Sequence, residues 1–282
     1  MPRTRANGID IEYEVDGPVD GEPLLLIMGL SAQLTWWEPT FPPALVAKGF
    51  RVIRFDNRDV GLSTWLDNLG TPDFAAPPYG LDDMAEDAVE LLTALGVRRA
   101  HIVGVSMGGM IAQQLAISHP DRVLSLTSIM SHVGGDDVVY GDGETMSAMS
   151  DWGDSTLESQ LEAWLRGRRF NMGPNESWDD ERERSRAMAE LTRGNHPVGA
   201  MRQLAAVIAA PSRRSALAGL RMPALVIHGE DDPLVPPENG HRTAAAIPGA
   251  RLLMVERMGH DIPPDAVEAI ASAIAQMAQP VA

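Results

Sequence analysis

The segment HIVGVSMGGMIAQQLAISHP, residues 101–120, sets one serine among three glycines where a short apolar run gives way to a helical pattern. HIVGV is brief and apolar on both faces, as a strand buried within a parallel sheet must be. A chain that turns at once from such a strand into a helix holds the residue at the turn, Ser106, in a strained conformation with its hydroxyl pushed out over the sheet edge. Neighbouring side chains would collide there. Gly104 and Gly108 relieve that crowding, and Gly109 lets the helix lie close to the strand. The helix N-terminus then directs unsatisfied N–H groups and a partial positive charge at any negative charge that develops nearby. A small-residue turn with an incidental serine would carry the same letters; the strand before and the helix after favour a nucleophile elbow.

The alternation extends outward from the elbow. LLLIM (24–28), RVIRFD (51–56), LSLTSIM (124–130), ALVIHG (224–229) and RLLMVE (251–256) are further short strands that are apolar on both faces. LDDMAEDAVELLTALG, with Met84, Ala88, Leu91, Leu92 and Leu95 at helical spacing, is one of the helices between them. Asn7-Gly8 before IDIEYEV marks a two-residue hairpin turn that opens the fold. Together these predict an α/β fold with a mostly parallel sheet flanked by helices.

Residues 133–212 break the pattern. No strand reads there, and three helices do: STLESQLEAWLRG with a capping box of Ser155 and Glu158, SWDDERERSRAMAEL, and VGAMRQLAAVIAA. The expected division is a core of residues 1–132 and 213–282 with a helical cap over 133–212. Trp152, Trp164, Trp178, Met146, Met149, Met172, Met188 and Met201 fall in this insertion. Burial within the cap's own core is the favoured reading of them, and an apolar ligand pocket between cap and sheet is the sharper one.

Composition excludes several classes. The chain has 282 residues, 44% of them hydrophobic, enough for one large domain with an insertion. Its formal charge of −16 argues against a nucleic-acid partner. Without cysteine there is neither a disulfide nor a thiolate site. No apolar stretch has signal-peptide or membrane-spanning length, so no membrane partner and a cytoplasmic location are expected.

A serine needs a base to take its proton and an acid to orient that base. His260, in RMGHD directly after the strand RLLMVE, occupies a glycine-containing loop at a strand's C-terminal end, where open α/β sheets place their sites. His132, after the strand that follows the elbow helix, is the alternative; His101, His119, His196, His228 and His241 read as structural. Between serine and histidine, HGEDDPLVP offers Glu230, Asp231 and Asp232. Pro233 fixes the turn beyond Asp232 and favours it over Asp231.

GVSMGG, HGEDDPLVP and GMGHD, in this order and each following a strand, resemble the α/β-hydrolase fold superfamily over nearly the whole chain. LLLIMGLSAQLTWW and FDNRDVGLS are similar, within it, to aclacinomycin methylesterase and related polyketide-ester hydrolases. The resemblance implies a Ser106–His260–Asp232 triad, its H-G-x-x-D spacing selecting Asp232, and an oxyanion hole from the backbone N–H groups of Leu30 and Met107. It implies hydrolysis of a small-molecule carboxylic ester through an acyl-enzyme, with neither a metal nor an organic cofactor, and a methyl ester of a bulky apolar acid is the expected substrate. Met28 stands where the wider superfamily has histidine, and Asp56 and Arg58 read as structural. A perhydrolase or carbon–carbon bond hydrolase would use the same triad. A non-catalytic ligand-binding protein on this fold is a reading from another class, which the complete triad disfavours.

Overall fold

The computed structural model describes residues 2–149, 151, 153, 156–174 and 177–278. In chain order they form β1 (Arg3–Ala6), β2 (Ile9–Asp16), β3 (Glu22–Ile27), α1 (Phe41–Ala47), β4 (Phe50–Phe55), α2 (Leu81–Ala94), β5 (Ala100–Val105), α3 (Met107–Ser118), β6 (Val123–Ile129), α4 (Gly143–Met149), α5 (Leu157–Asn171), α6 (Asp180–Gly194), α7 (Pro197–Ala209), α8 (Arg214–Leu217), β7 (Ala224–Gly229), α9 (Glu238–Ala246), β8 (Arg251–Val255) and α10 (Val267–Ala278). Eight strands make one sheet in the order β1-β2-β4-β3-β5-β6-β7-β8. It is parallel from β4 to β8 and antiparallel where β2 meets β1 and β4. The opening hairpin turns at Asn7 and Gly8, both with positive φ, as a two-residue turn between twisted strands requires.

The two-residue period of the strands sorts their side chains into two cores. Leu25 and Ile27 of β3 pack with α2 and α3 on one face, while Leu24 and Leu26 pack with Phe41 and Leu45 of α1 and with Ile270 and Ile274 of α10 on the other. β8 departs from the expected burial on both faces: as the edge strand it leaves Arg251 exposed and its other four residues half-buried.

Among the described residues five helices, α4 to α8, lie between β6 and β7, and the first four of them, α4 to α7, fall within residues 133–212. Three match the expected segments, and α4 is additional. The capping box expected from Ser155 and Glu158 is replaced: the cap of α5 is Thr156, whose hydroxyl accepts the Ser159 amide, because the helix starts one residue later. Ser155 lies outside the described residues. Buried ion pairs fasten these helices to the loop after β4. Arg202 of α7 grips Asp59 with two hydrogen bonds, and Arg193 of α6 reaches Asp56 at 2.7 Å.

Candidate active site

Five loops at the C-terminal ends of β3, β5, β6, β7 and β8 converge on one place, as expected of an open α/β sheet. Ser106 stands between β5 and α3 with φ 54° and ψ −122°, a left-handed conformation that a residue bearing a side chain adopts only under constraint. The glycines supply it. A Cβ on Gly104 would strike the Gly108 carbonyl, one on Gly108 would strike the Ile27 carbonyl, and one on Gly109 would come within 2.7 Å of the Ser131 side chain. Strand β5, helix α3 and the end of β3 therefore touch backbone to backbone around the serine.

His260 Nε2 lies 2.9 Å from Ser106 Oγ, and its Nδ1 lies 2.8 Å from Asp232 Oδ2. The carboxylate can only accept there, so Nδ1 carries the proton and Nε2 is left to receive that of the serine. Asp232 is buried, and its other oxygen accepts the amides of Leu234 at 3.0 Å and Val235 at 2.8 Å, a turn that Pro233 makes possible. Asp231 points outward and is exposed. The structure thus brings Ser106, His260 and Asp232 into one hydrogen-bonded chain and leaves Asp231 out of it.

Leu30 and Met107 both border the cavity above Ser106. The Met107 amide belongs to the first turn of α3 and has no carbonyl of its own helix to bond. Gly29 lets the Leu30 loop pass close to the serine, since a Cβ there would stand 3.2 Å from Ser106 Cβ. The loop is held from outside by Asn57, which donates to the Met28 carbonyl at 3.0 Å, and by Gln203 of α7, which accepts the Ser31 amide at 2.8 Å. Sequence reading missed both residues; the FDNRDVGLS segment was the one visible signal for Asn57, and nothing in VGAMRQLAAVIAA marked Gln203. Arg58 is occupied by Asp87 at 2.6 and 2.8 Å, and Asp56 by the Leu34 and Leu62 amides and Arg193, consistent with structural roles.

Of the other histidines, His132 does face the cavity. Its Nδ1 accepts the Gly134 amide at 3.1 Å, so the neutral ring carries its proton on Nε2 and is a donor there, unsuited to take a proton from serine. Burial first, then the Arg213 charge, pushes this imidazole down to about 3. Its folded pKa is depressed, so the unfolded chain takes up a proton below about 6.5 that the folded chain refuses. Stability is full above that pH and falls by about 1.4 kcal/mol per pH unit on the way down toward about 3. His132→Asn is expected to shrink the stability lost between pH 7 and pH 5 by about 2 kcal/mol, read from urea melts at both values; equal losses in variant and parent would show that His132 is protonated in the folded protein. His228, also pushed down by burial, donates to the Val235 carbonyl at 2.7 Å and braces the Asp232 turn. His101 bonds Ser125, His119 bonds Glu86, His196 bonds Asp67, and His241 sits exposed on α9.

The cavity holds about 650 Å³. Met28, Trp36, Met107, Met110 and Met130 line it from the sheet side, and Met146, Leu204, Val207 and Ile208 from α4 and α7. Of the tryptophans and methionines singled out in residues 133–212, only Met146 borders it among the described residues, with Tyr140 beside it, so the sharper expectation fails for most of them. Trp164 packs edge-on against Trp36 at 4.7 Å, Trp178 lies against Arg169, and Met172, Met188 and Met201 are half-buried away from the cavity. Trp152 and the side chain of Met149 fall outside the described residues. The aromatic wall comes instead from Tyr140 and from the WW pair after β3, whose Trp36 meets Trp164 of α5 and Arg186 of α6.

A mostly parallel sheet with this elbow and with site residues on the strand-end loops defines a hydrolase class. The sequence profile of the alpha/beta hydrolase fold matches residues 22–267, and the chain belongs to that family of enzymes. It is 34% identical to rhodomycin D methylesterase DnrP of Streptomyces peucetius, with 91% of this chain and 90% of that protein covered. It is 33% identical to rhodomycin D methylesterase DauP of Streptomyces sp. (strain C5), with 92% and 91% covered. Among solved structures, a meta-cleavage product hydrolase of Pseudomonas fluorescens IP01 shares the fold with a TM-score of 0.81 at 22% identity, over 98% of this chain and 97% of that one. Among the described residues no helix is long and apolar enough to cross a membrane.

Proposed function

We propose that the protein hydrolyses a carboxylic ester, a methyl ester of a bulky apolar acid, through an acyl-enzyme on Ser106. The observation that carries this reading is the unbroken Ser106–His260–Asp232 hydrogen-bonded chain at the wall of a large, mainly apolar cavity. His260 takes the serine proton as Oγ attacks the carbonyl carbon, and Asp232 holds the imidazole in the tautomer that can accept it. The N–H groups of Leu30 and Met107 receive the oxyanion. His260 returns the proton to the departing alkoxide, which leaves as the alcohol; it then takes a proton from water as that water attacks the acyl carbonyl, and gives it to Ser106 Oγ as the bond from Oγ to the acyl carbon breaks and the acid departs.

Residues 133–212 act as a cap, their helices α4 and α7 closing the apolar side of the cavity. The methylesterase relatives support a small alcohol on the substrate, and the cavity's size and its methionines support a large acyl group, since flexible thioethers adapt to irregular shapes. Each buried methylene of the acid contributes somewhat under about 1 kcal/mol, so a methyl ester of a polycyclic acid is expected to exceed methyl acetate by orders of magnitude in kcat/KM. A panel running from p-nitrophenyl acetate through ethyl butyrate to such polycyclic esters, with Ser106→Ala as the blank, tests this. A preference for the small esters would overturn the bulky-acid assignment. Hydrogen peroxide and a vinylogous diketone belong in the same panel, because perhydrolysis or carbon–carbon cleavage would use the same three residues.

A further inference from the structure

The loop that carries His260 is fastened from outside the sheet. The His260 amide donates to the Asn171 carbonyl, at the last residue of α5, over 2.6 Å. The next side chain, Asp261, forms an ion pair with Arg168 one turn earlier on α5, Nη2 to Oδ2 at 2.6 Å. Arg168 is itself anchored on α6 by Glu183 at 3.1 Å, and both side chains are almost fully buried. The two backbones touch between these attachments. A Cβ on Gly259 would strike the Asn171 carbonyl and the Gly173 amide, and one on Gly173 would strike the Arg257 carbonyl. The loop's other attachments are to the end of β7, where the Asp231 amide donates to the Met258 carbonyl at 3.2 Å and a Cβ on Gly229 would strike that same carbonyl; its own strand β8 is the half-exposed edge.

We infer that Arg168 is a positioning residue for His260, acting through Asp261, so that the imidazole lines up with Ser106 only while the end of α5 is docked on the loop over residues 257–262. This rests on the triad reading above. The physical basis is geometric: one attachment is made at the main chain of residue 260 and the other at the side chain of residue 261, so they flank the imidazole and oppose its rotation and its drift toward solvent. A displacement of about 1 Å at a reacting group costs about 10²-fold. The docked insertion therefore completes the site as well as covering it, and a substrate that lifts α5 on entry meets an unaligned base until the helix returns.

Asp261→Asn is the deciding variant, because it removes the charge pair to the loop and leaves Arg168 bonded to Glu183. Arg168→Met, which strands Glu183 in the interior, is compared with it alone and in the double variant. The readouts are kcat and KM on p-nitrophenyl acetate, the rate at which a fluorophosphonate labels Ser106, the Tm, and the downfield proton resonance of the His260–Asp232 hydrogen bond. For Asp261→Asn the labelling rate and kcat are expected to fall about 10- to 100-fold, with KM within about threefold, Tm within a few degrees, and the resonance broadened or lost. The double variant is expected to be no slower than the slower single one, as residues acting in one unit are. Folded Asp261→Asn that labels at the parent rate with its resonance unchanged would overturn the inference, and so would a raised KM at unchanged kcat, which would make Asp261 a substrate contact. A parent enzyme not labelled at Ser106 would strike the triad reading instead and remove this inference with it.

Discussion

Ser106→Ala is expected to lose about 10⁴-fold or more in kcat while keeping its fold. Alanine retains the Cβ that the crowded turn already accommodates and deletes only the hydroxyl 2.9 Å from His260 Nε2. The constraint that produces φ 54° at this position comes from neighbouring backbones at Gly104 and Gly108, which the substitution leaves in place. Substrate should still bind in the cavity, and the Leu30 and Met107 amides remain, so a small residual rate over water is expected. Steady-state kinetics measure the loss, and mass spectrometry of the fluorophosphonate-treated parent places the label. A label on a different serine would contradict the assignment outright.

The second large effect separates two adjacent carboxylates. Asp232→Asn is expected to lower kcat by about 10⁴-fold, because an amide opposite Nδ1 can donate its own hydrogen and drives the ring proton to Nε2, the nitrogen that must be empty. Asp231→Asn is expected to cost less than about tenfold, since that side chain is exposed and only its main-chain amide is engaged, with the Met258 carbonyl. The same kinetic assay ranks the two. The opposite ranking would place the acid one position earlier and would require the turn around Pro233 to differ from the one described.

The elbow was legible in the sequence because steric demand there is local: a positive-φ serine between β5 and α3 needs small residues at fixed offsets, and GVSMGG shows them. The strands were legible for a similar reason, their apolar runs reflecting burial on both faces. β8 misled because an apolar run does not reveal which strand stands at the sheet's edge. The helices α1 and α4 escaped notice: FPPALVA carries two prolines in its first turn, and GETMSAM is too short for a helical period to register. The cavity wall was the least legible part. Trp36 lies far in sequence from Trp164 and Arg186, which it meets on α5 and α6, and the partners of the His260 loop, Arg168 and Asn171, precede it by about ninety residues. Such contacts follow from the way helices α5 and α6 fold back over the strand-end loops, which no periodicity encodes. Arg202 looks like any surface arginine on α7, yet it is fully buried on Asp59.

The charge lining the cavity bears on how the enzyme clears itself. Among the described residues that border it, Glu38, Asp136 and Asp261 carry carboxylates, and none is a lysine or arginine. Arg182 and Arg168 offset the first and third from behind, and the chain as a whole carries −16. A neutral ester enters this field at no electrostatic cost, but the acid it becomes ionises at neutral pH and finds no cation in the wall to hold it. Release of the acid product is thus opposed by no lysine or arginine side chain among the described residues of the wall.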